Sequence, residues 1–232
     1  MTNSLDYEIS FRPDFSLLTV NLEKGQKVYA EPSAMASMSP TLTMKAALKG
    51  GAMKSLGRMF GGESMVVNTF TAAKGPGEVV FAPGQLGDTQ HYRLTGGSLI
   101  LQRGAFMVHS EGVQITGKWQ GAKGFFSGEG LVLLKASGTG DVFFNSYGGV
   151  IEVNVNDDYV VDTGYIVAFE DTLQYRISVL PGLRGGGIKR LFFSGEGLVC
   201  RFSGQGRVWI QTRYVHPFLS WINRFRPTKN KS

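Results

Sequence analysis

Phe126-Ser127-Gly128-Glu129-Gly130-Leu131-Val132 returns as Phe193-Ser194-Gly195-Glu196-Gly197-Leu198-Val199, and a weaker version reads Phe60-Gly61-Gly62-Glu63-Ser64-Met65-Val66. The three glutamates stand 66 and 67 residues apart. Self-similarity at such a period marks a repeated supersecondary unit. Downstream of each phrase comes a glycine-bracketed turn: Gly75-Pro76-Gly77, Gly138-Thr139-Gly140 and Gly204-Gln205-Gly206. Each turn precedes an apolar run, Val79-Val80-Phe81, Val142-Phe143-Phe144 or Val208-Trp209-Ile210. Strand, tight turn, strand is the pattern, with glycine supplying a positive φ, and it predicts three hairpins.

Upstream of each phrase lies a fainter half-unit. Leu22-x-x-Gly25-x-x-Val28 aligns with Leu94-x-x-Gly97-x-x-Ile100 and with Val155-x-x-Asp158-x-x-Val161. Alternation in Ile151-Val153-Val155 and Leu173-Tyr175-Ile177 makes these strands too. The expectation is an all-β domain over 1–215, built from three tandem units at about 16–85, 91–148 and 149–213. One unit is too small to enclose its own core, so the three should pack about a pseudo-threefold axis.

Two segments break this pattern. Met44, Leu48, Leu56, Met59 and Phe60 fall at near-helical spacing, predicting a broken amphipathic helix interrupted at Gly50-Gly51. In the tail, 216–232, residues Phe218, Leu219, Trp221, Ile222 and Phe225 predict a short helix that Pro217 can open and Pro227 stop.

Composition narrows the function classes. Five basic residues and no acid lie from Arg213 onward; of 24 basic residues that leaves 19 in the body against 18 acids, too balanced for a nucleic-acid groove. The single cysteine, Cys200, allows no internal disulfide framework. The N-terminus has neither a signal-peptide nor a transit-peptide pattern, and no apolar run is long enough to cross a membrane, so a cytoplasmic protein is expected.

No catalytic residue and no metal ligand set emerges. His91, His109 and His216 are isolated, and Cys200 sits in an apolar run without a partner base. Gly182-Leu183-Arg184-Gly185-Gly186-Gly187-Ile188-Lys189 lacks the phosphate-loop order, since Arg190 stands where a magnesium-binding hydroxyl belongs. No cofactor is therefore expected. Glu63, Glu129 and Glu196 are expected to hold turns by accepting backbone N–H bonds; a ring of carboxylates around a cation is the sharper alternative. The candidate binding residues are basic ones flanking the repeated phrase: Lys45, Lys49, Lys54 and Arg58, then Lys118 and Lys123, then Arg184, Lys189 and Arg190. Beside apolar neighbours they suit anionic lipid or a protein partner.

Gly62-Glu63-Ser64, Asn68-Thr69-Phe70-Thr71-Ala72 and Gly77-Glu78-Val79 resemble a widespread bacterial family of unassigned function. Asn145-Ser146-Tyr147-Gly148, Val160-Val161-Asp162-Thr163-Gly164 and the run from Gly206 to Arg213 match it as well. Its eukaryotic relatives belong to the altered-inheritance-of-mitochondria group of mitochondrial biogenesis proteins. The resemblance extends from about Met1 to Trp221. It implies a fold similar to the tryptophan RNA-binding attenuator protein in fused tandem copies, and it brings no catalytic residues. A non-enzymatic binding or assembly protein is the expectation, with a homo-oligomer as one form of assembly. RNA binding by fold analogy and a small-molecule site between units are the alternatives.

Overall fold

In the computed structural model, residues 4–48, 66–118, 132–179 and 198–226 are described. Among them the chain is almost wholly β-strand, with two single-turn 3-10 segments (Arg103–Ala105 and Thr163–Tyr165) and one short helix at the C-terminal end.

The two longest strands display the plan. β8 (Thr89–Gln102) and β11 (Leu133–Asn145) run antiparallel along their whole length, from Thr89 opposite Asn145 to Gln102 opposite Leu133, with one irregularity between Ser137 and Thr139. There Gly138 has φ +113° and, across the ladder, Gly96 has φ +102°. This left-handed region is closed to most side chains, and a Cβ on Gly138 would strike the Gly112 carbonyl. The outer edge of β11 therefore serves two different neighbours along its length. β9 (Phe106–Ser110) pairs with the C-terminal half of β11 and β10 (Val113–Lys118) with its N-terminal half.

The flanking stretches pair in the same order with shorter strands. Upstream, β7 (Gly77–Phe81) lies between β2 (Leu17–Leu22) and β4 (Met35–Met38), and β6 (Val66–Thr71) between β3 (Lys27–Ala30) and β5 (Thr43–Leu48). β1 (Asp6–Ser10) adds to the outside of β2. Downstream, β17 (Gly206–Gln211) lies between β12 (Val150–Val155) and β14 (Ile166–Glu170), and β16 (Leu198–Ser203) between β13 (Asp158–Asp162) and β15 (Gln174–Val179).

Two sequence expectations are corrected here. None of the three glycine turns closes a hairpin: Gly138-Thr139-Gly140 lies inside the continuous strand β11, and at 75–77 and 204–206 the strands on either side enter different sheets. Both edges of β6, β7, β16 and β17 are already occupied by other strands, so neither turn can bring its flanking strands together. The glycine makes a corner, as at Gly204 with φ +98°. The helix expected from Met44 fails at its start, since Thr43–Leu48 is a strand with Met44 opposite Phe70 and Leu48 opposite Val66. Apolar residues four apart share a face in a strand as well as in a helix, so that spacing could not discriminate. The rest of that expected helix lies outside the described residues.

Three apolar clusters form the core, and each draws residues from a neighbouring stretch. Met107, Val108 and Phe143 join Phe70, Phe81 and Val79; Val167, Ala168 and Trp209 join Phe106 and Phe144; Ile100 and Leu133 join Phe169 and Phe202. Two backbone joints accompany this sharing. β3 pairs with β9, Tyr29 opposite His109, and β8 pairs with β14, Ile100 opposite Phe169. Each enclosed phenylalanine contributes roughly 1.5–3 kcal/mol, so the joints are bound into the core.

Candidate functional site

Four separate stretches of chain meet at one hydrogen-bonded hub. The Ser16 N–H donates to the Gly87 carbonyl at 3.1 Å, Asp88 N–H to the Gly148 carbonyl at 3.1 Å, and Gly148 N–H to the Leu86 carbonyl at 2.8 Å. Thr212 N–H donates to the Gly149 carbonyl at 3.0 Å and Arg213 N–H to the Tyr147 carbonyl at 3.2 Å. Gly87 permits this approach, because a Cβ there would collide with the backbone of Ser146 and Gly148. Arg12 pins the preceding loop by a two-pronged contact, its Nε and Nη2 each donating at 2.8 Å to the nearly buried Asp88 carboxylate. A planar guanidinium on a carboxylate fixes direction as well as distance.

The helix α1 (Val215–Asn223) grows from this hub. Gln211 anchors its base: the side-chain oxygen accepts from Tyr147 N–H and the side-chain nitrogen donates to the Gly164 carbonyl, both at 2.9 Å. Gly164 leaves space for the Tyr214 ring, which lies 5.7 Å from the Tyr165 ring. Phe218 reaches the body through Tyr147, with ring centroids 6.0 Å apart. A cleft of about 350 Å³ between helix and body is lined by Tyr147, Tyr165, Arg213, Tyr214, Phe218 and Trp221, among others.

None of the helix residues is buried. At 3.6 residues per turn, Phe218, Trp221 and Ile222 share one side, and Phe225 in the following turn sets its ring 5.3 Å from that of Trp221. Trp221 is 56% and Phe225 70% exposed, with Phe218, Leu219 and Ile222 also open. Arg224 and Arg226 flank them. Phe11, Phe15 and Leu86, on segments tied to the same hub, are large apolar residues left in solvent as well. These exposed apolar groups belong to α1 with the turn after it and to segments joined by the same set of loops.

Two carboxylates of the body, Asp141 and Glu170, are occupied internally. Asp141 accepts from the Leu5 N–H at 2.8 Å and from Arg93 at 2.8 Å, and meets His91 Nε2 at 2.9 Å. Burial pushes its carboxyl pKa up, but these hydrogen bonds outweigh burial and hold it at about 2. Glu170 is drawn down in the same way by Arg207 and Tyr92 against the opposing effect of burial. Burial pushes the Cys200 thiol up to about 12, the reverse of what a nucleophile needs. Among the described residues no group of three His, Cys, Asp or Glu side chains could hold a metal ion, and no helix is long and apolar enough to cross a membrane.

Of the residues singled out from sequence, Lys45 is an exposed position on β5 and Lys118 ends β10. Lys49, Lys54, Arg58, Lys123, Arg184, Lys189 and Arg190, with Glu63, Glu129 and Glu196, lie outside the described residues. The segments carrying them leave from matching places, the ends of the β5–β6, β10–β11 and β15–β16 ladders. Sequence reading missed the Arg12–Asp88 and Asp141 clusters, whose members lie 48 to 136 residues apart and share no local pattern.

A model of the mitochondrial biogenesis AIM24 family matches residues 7–213. The chain belongs to the AIM24 family. Among AIM24 relatives, an uncharacterized protein of Streptococcus pyogenes serotype M6 is 26% identical over 98% of this chain and 94% of its own length. The crystal structure of a Streptococcus pyogenes protein superposes with a TM-score of 0.78 at 23% identity, covering 96% of this chain and all of that one. That likeness establishes the fold. The AIM24 match ends at Arg213, so α1 and its aromatic side lie beyond it.

Proposed function

We propose that this AIM24 protein is a non-enzymatic binding protein that docks its aromatic end on an anionic membrane surface. The observation that carries this reading is α1 with the turn after it: an apolar side of Phe218, Trp221 and Ile222 continued by Phe225, arginines beside it, and no buried residue. A helix this short is marginal in water and gains stability by laying its apolar side on something. Tryptophan, phenylalanine and flanking arginines suit the lipid headgroup boundary, and Phe11, Phe15 and Leu86 would enter beside them. The basic residues of 49–65, 119–131 and 180–197 would add attraction to anionic lipid, each worth about 1 kcal/mol near the surface. The internally satisfied Asp141 and Glu170 carboxylates and the raised Cys200 thiol support the non-enzymatic part of the reading.

The finer architecture belongs to the same proposal. The recurring phrase and the common pairing order support three copies of one unit about a pseudo-threefold axis, similar to the tryptophan RNA-binding attenuator protein. RNA binding is the second reading, and the cleft favours it: Tyr147, Tyr165, Tyr214 and Trp221 around Arg213 offer rings on which bases stack.

Co-sedimentation of the full chain with vesicles tests the proposal. Binding to anionic but not neutral vesicles is expected, weakened roughly tenfold or more by Trp221→Ala with Phe225→Ala. Equal binding by that variant overturns it. Single-stranded RNA that binds tightly, while vesicles do not, establishes the second reading instead.

A further inference from the structure

Two arginines at the hub stand in opposite conditions. Arg12 is committed to Asp88, its Nε and Nη2 each donating at 2.8 Å to the one carboxylate. Arg213 is exposed, and its side chain makes a single hydrogen bond, Nη1 donating at 2.9 Å to the Thr212 carbonyl. Among the described residues no carboxylate forms an ion pair with it. This uncompensated guanidinium lines the cleft of about 350 Å³ between α1 and the body.

The rest of the lining narrows what the cleft accepts. Tyr147, Tyr165, Tyr214, Phe218 and Trp221 give it aromatic walls, and no Asp or Glu lines it. The hydroxyls of Tyr147 and Tyr165 make no hydrogen bond among the described residues. The first turn of α1, beside the cleft, contains no acid, so it supplies no charge opposite to the guanidinium. Aromatic walls alone would suit an ammonium group, but a guanidinium among them repels one. An anion is favoured instead. The planar fork of arginine matches two oxygens of a phosphate, and a phenolic O–H can donate to a third.

We propose that this cleft binds the phosphate group of a phosphate ester, held by Arg213 with the Tyr147 and Tyr165 hydroxyls as further donors. Its volume lies at the small end of the range for ligand clefts, about 300–1,000 Å³. That space suits one phosphate and the few carbons carrying it. A nucleic-acid strand needs successive stacking platforms along a basic groove, and the body is nearly neutral. Phe218 and Trp221 belong at once to the cleft wall and to the apolar side of α1. An acyl chain attached to the phosphate therefore leaves the cleft along the helix, which makes a lipid headgroup the favoured source. That source rests on the membrane docking proposed above; the phosphate site itself does not.

Calorimetric titration of the full chain tests this, with glycerol phosphate and with dihexanoyl phosphatidic acid below its micelle concentration. Both esters are expected to bind, the lipid roughly tenfold or more tightly because its chains meet Phe218 and Trp221. Arg213→Gln should weaken both roughly tenfold or more. Arg201→Gln, which removes the same charge from an exposed position on β16, should change neither. Tyr147→Phe should fall between the two, and equal thermal midpoints show that each variant is folded. Equal affinity for the two esters would assign the phosphate to a soluble molecule. Failure of both esters to bind, or equal binding by Arg213→Gln, overturns the proposal. Single-stranded RNA that binds where both esters fail overturns it in favour of nucleic acid. Anionic vesicles bound while both esters fail would remove the phosphate site and leave the docking standing; esters bound while vesicles are not would do the reverse.

Discussion

Asp141 and Trp221 occupy opposite regimes of one chain. The carboxylate is fully enclosed and meets His91, Arg93 and a backbone N–H from the N-terminal segment. The indole is more than half exposed, and its ring packs on Phe218 of its own helix and on Phe225 in the turn that follows. A buried charge persists only where its partners compensate the loss of water, so Asp141 reports on how the body holds itself together. Large apolar surface left in water contributes little to holding the body together, and the proposed docking assigns it to a membrane. Changes near Asp141 should therefore act on stability, and changes on α1 on binding.

The strongest attempt to break this contrast is Asp141→Ala. It strips the charge from between Arg93 and His91 and leaves the Leu5 N–H unpaired, and should cost about 3 kcal/mol in denaturant unfolding. A loss no larger than that of a surface substitution would mean that the cluster is incidental.

Acid should reproduce much of that effect without mutation. The folded pKa of Asp141, about 2, lies below the ordinary value of 3.8. Its contribution is thus fully present above pH 4 and is lost as pH falls through the folded value, on the order of 2 kcal/mol in all. Thermal midpoints recorded from pH 5 to pH 2 should decline more steeply for the wild type than for Asp141→Asn.

Gly138→Ala should cost about 1 kcal/mol or more, since alanine resists a positive φ and the Gly112 carbonyl fills the space. Gly117→Ala is the matched control: a Cβ there meets nothing within 4 Å, so the midpoint should hardly move.

The same residues explain what could be foreseen from sequence. Ile151-Val153-Val155 alternates and is a strand, with Val155 buried, Val153 half-buried and Ile151 left exposed. The tail helix was visible in the spacing of Phe218, Trp221, Ile222 and Phe225, with Pro217 inside its first turn. The destination of a strand after a glycine corner was not visible. Glycine permits a hairpin and a sheet-to-sheet corner alike, and the choice depends on which edges other strands already occupy. The Asp88 and Asp141 clusters were hidden for a related reason, since folding alone brings Arg12, His91 and Leu5 to those carboxylates. The openness of α1 is likewise a property of what surrounds it.

The smallest expected change in stability, under about 0.5 kcal/mol, belongs to Trp221→Phe, and that variant provides the most direct measurement. Tryptophan emission is recorded for the wild type and for Trp221→Phe as anionic vesicles are added. Docking of the aromatic end predicts a shift to shorter wavelength in the wild type that is lost in the variant, with equal thermal midpoints for the two proteins. Vesicles that leave the wild-type spectrum unchanged, or shift both proteins equally, would contradict it.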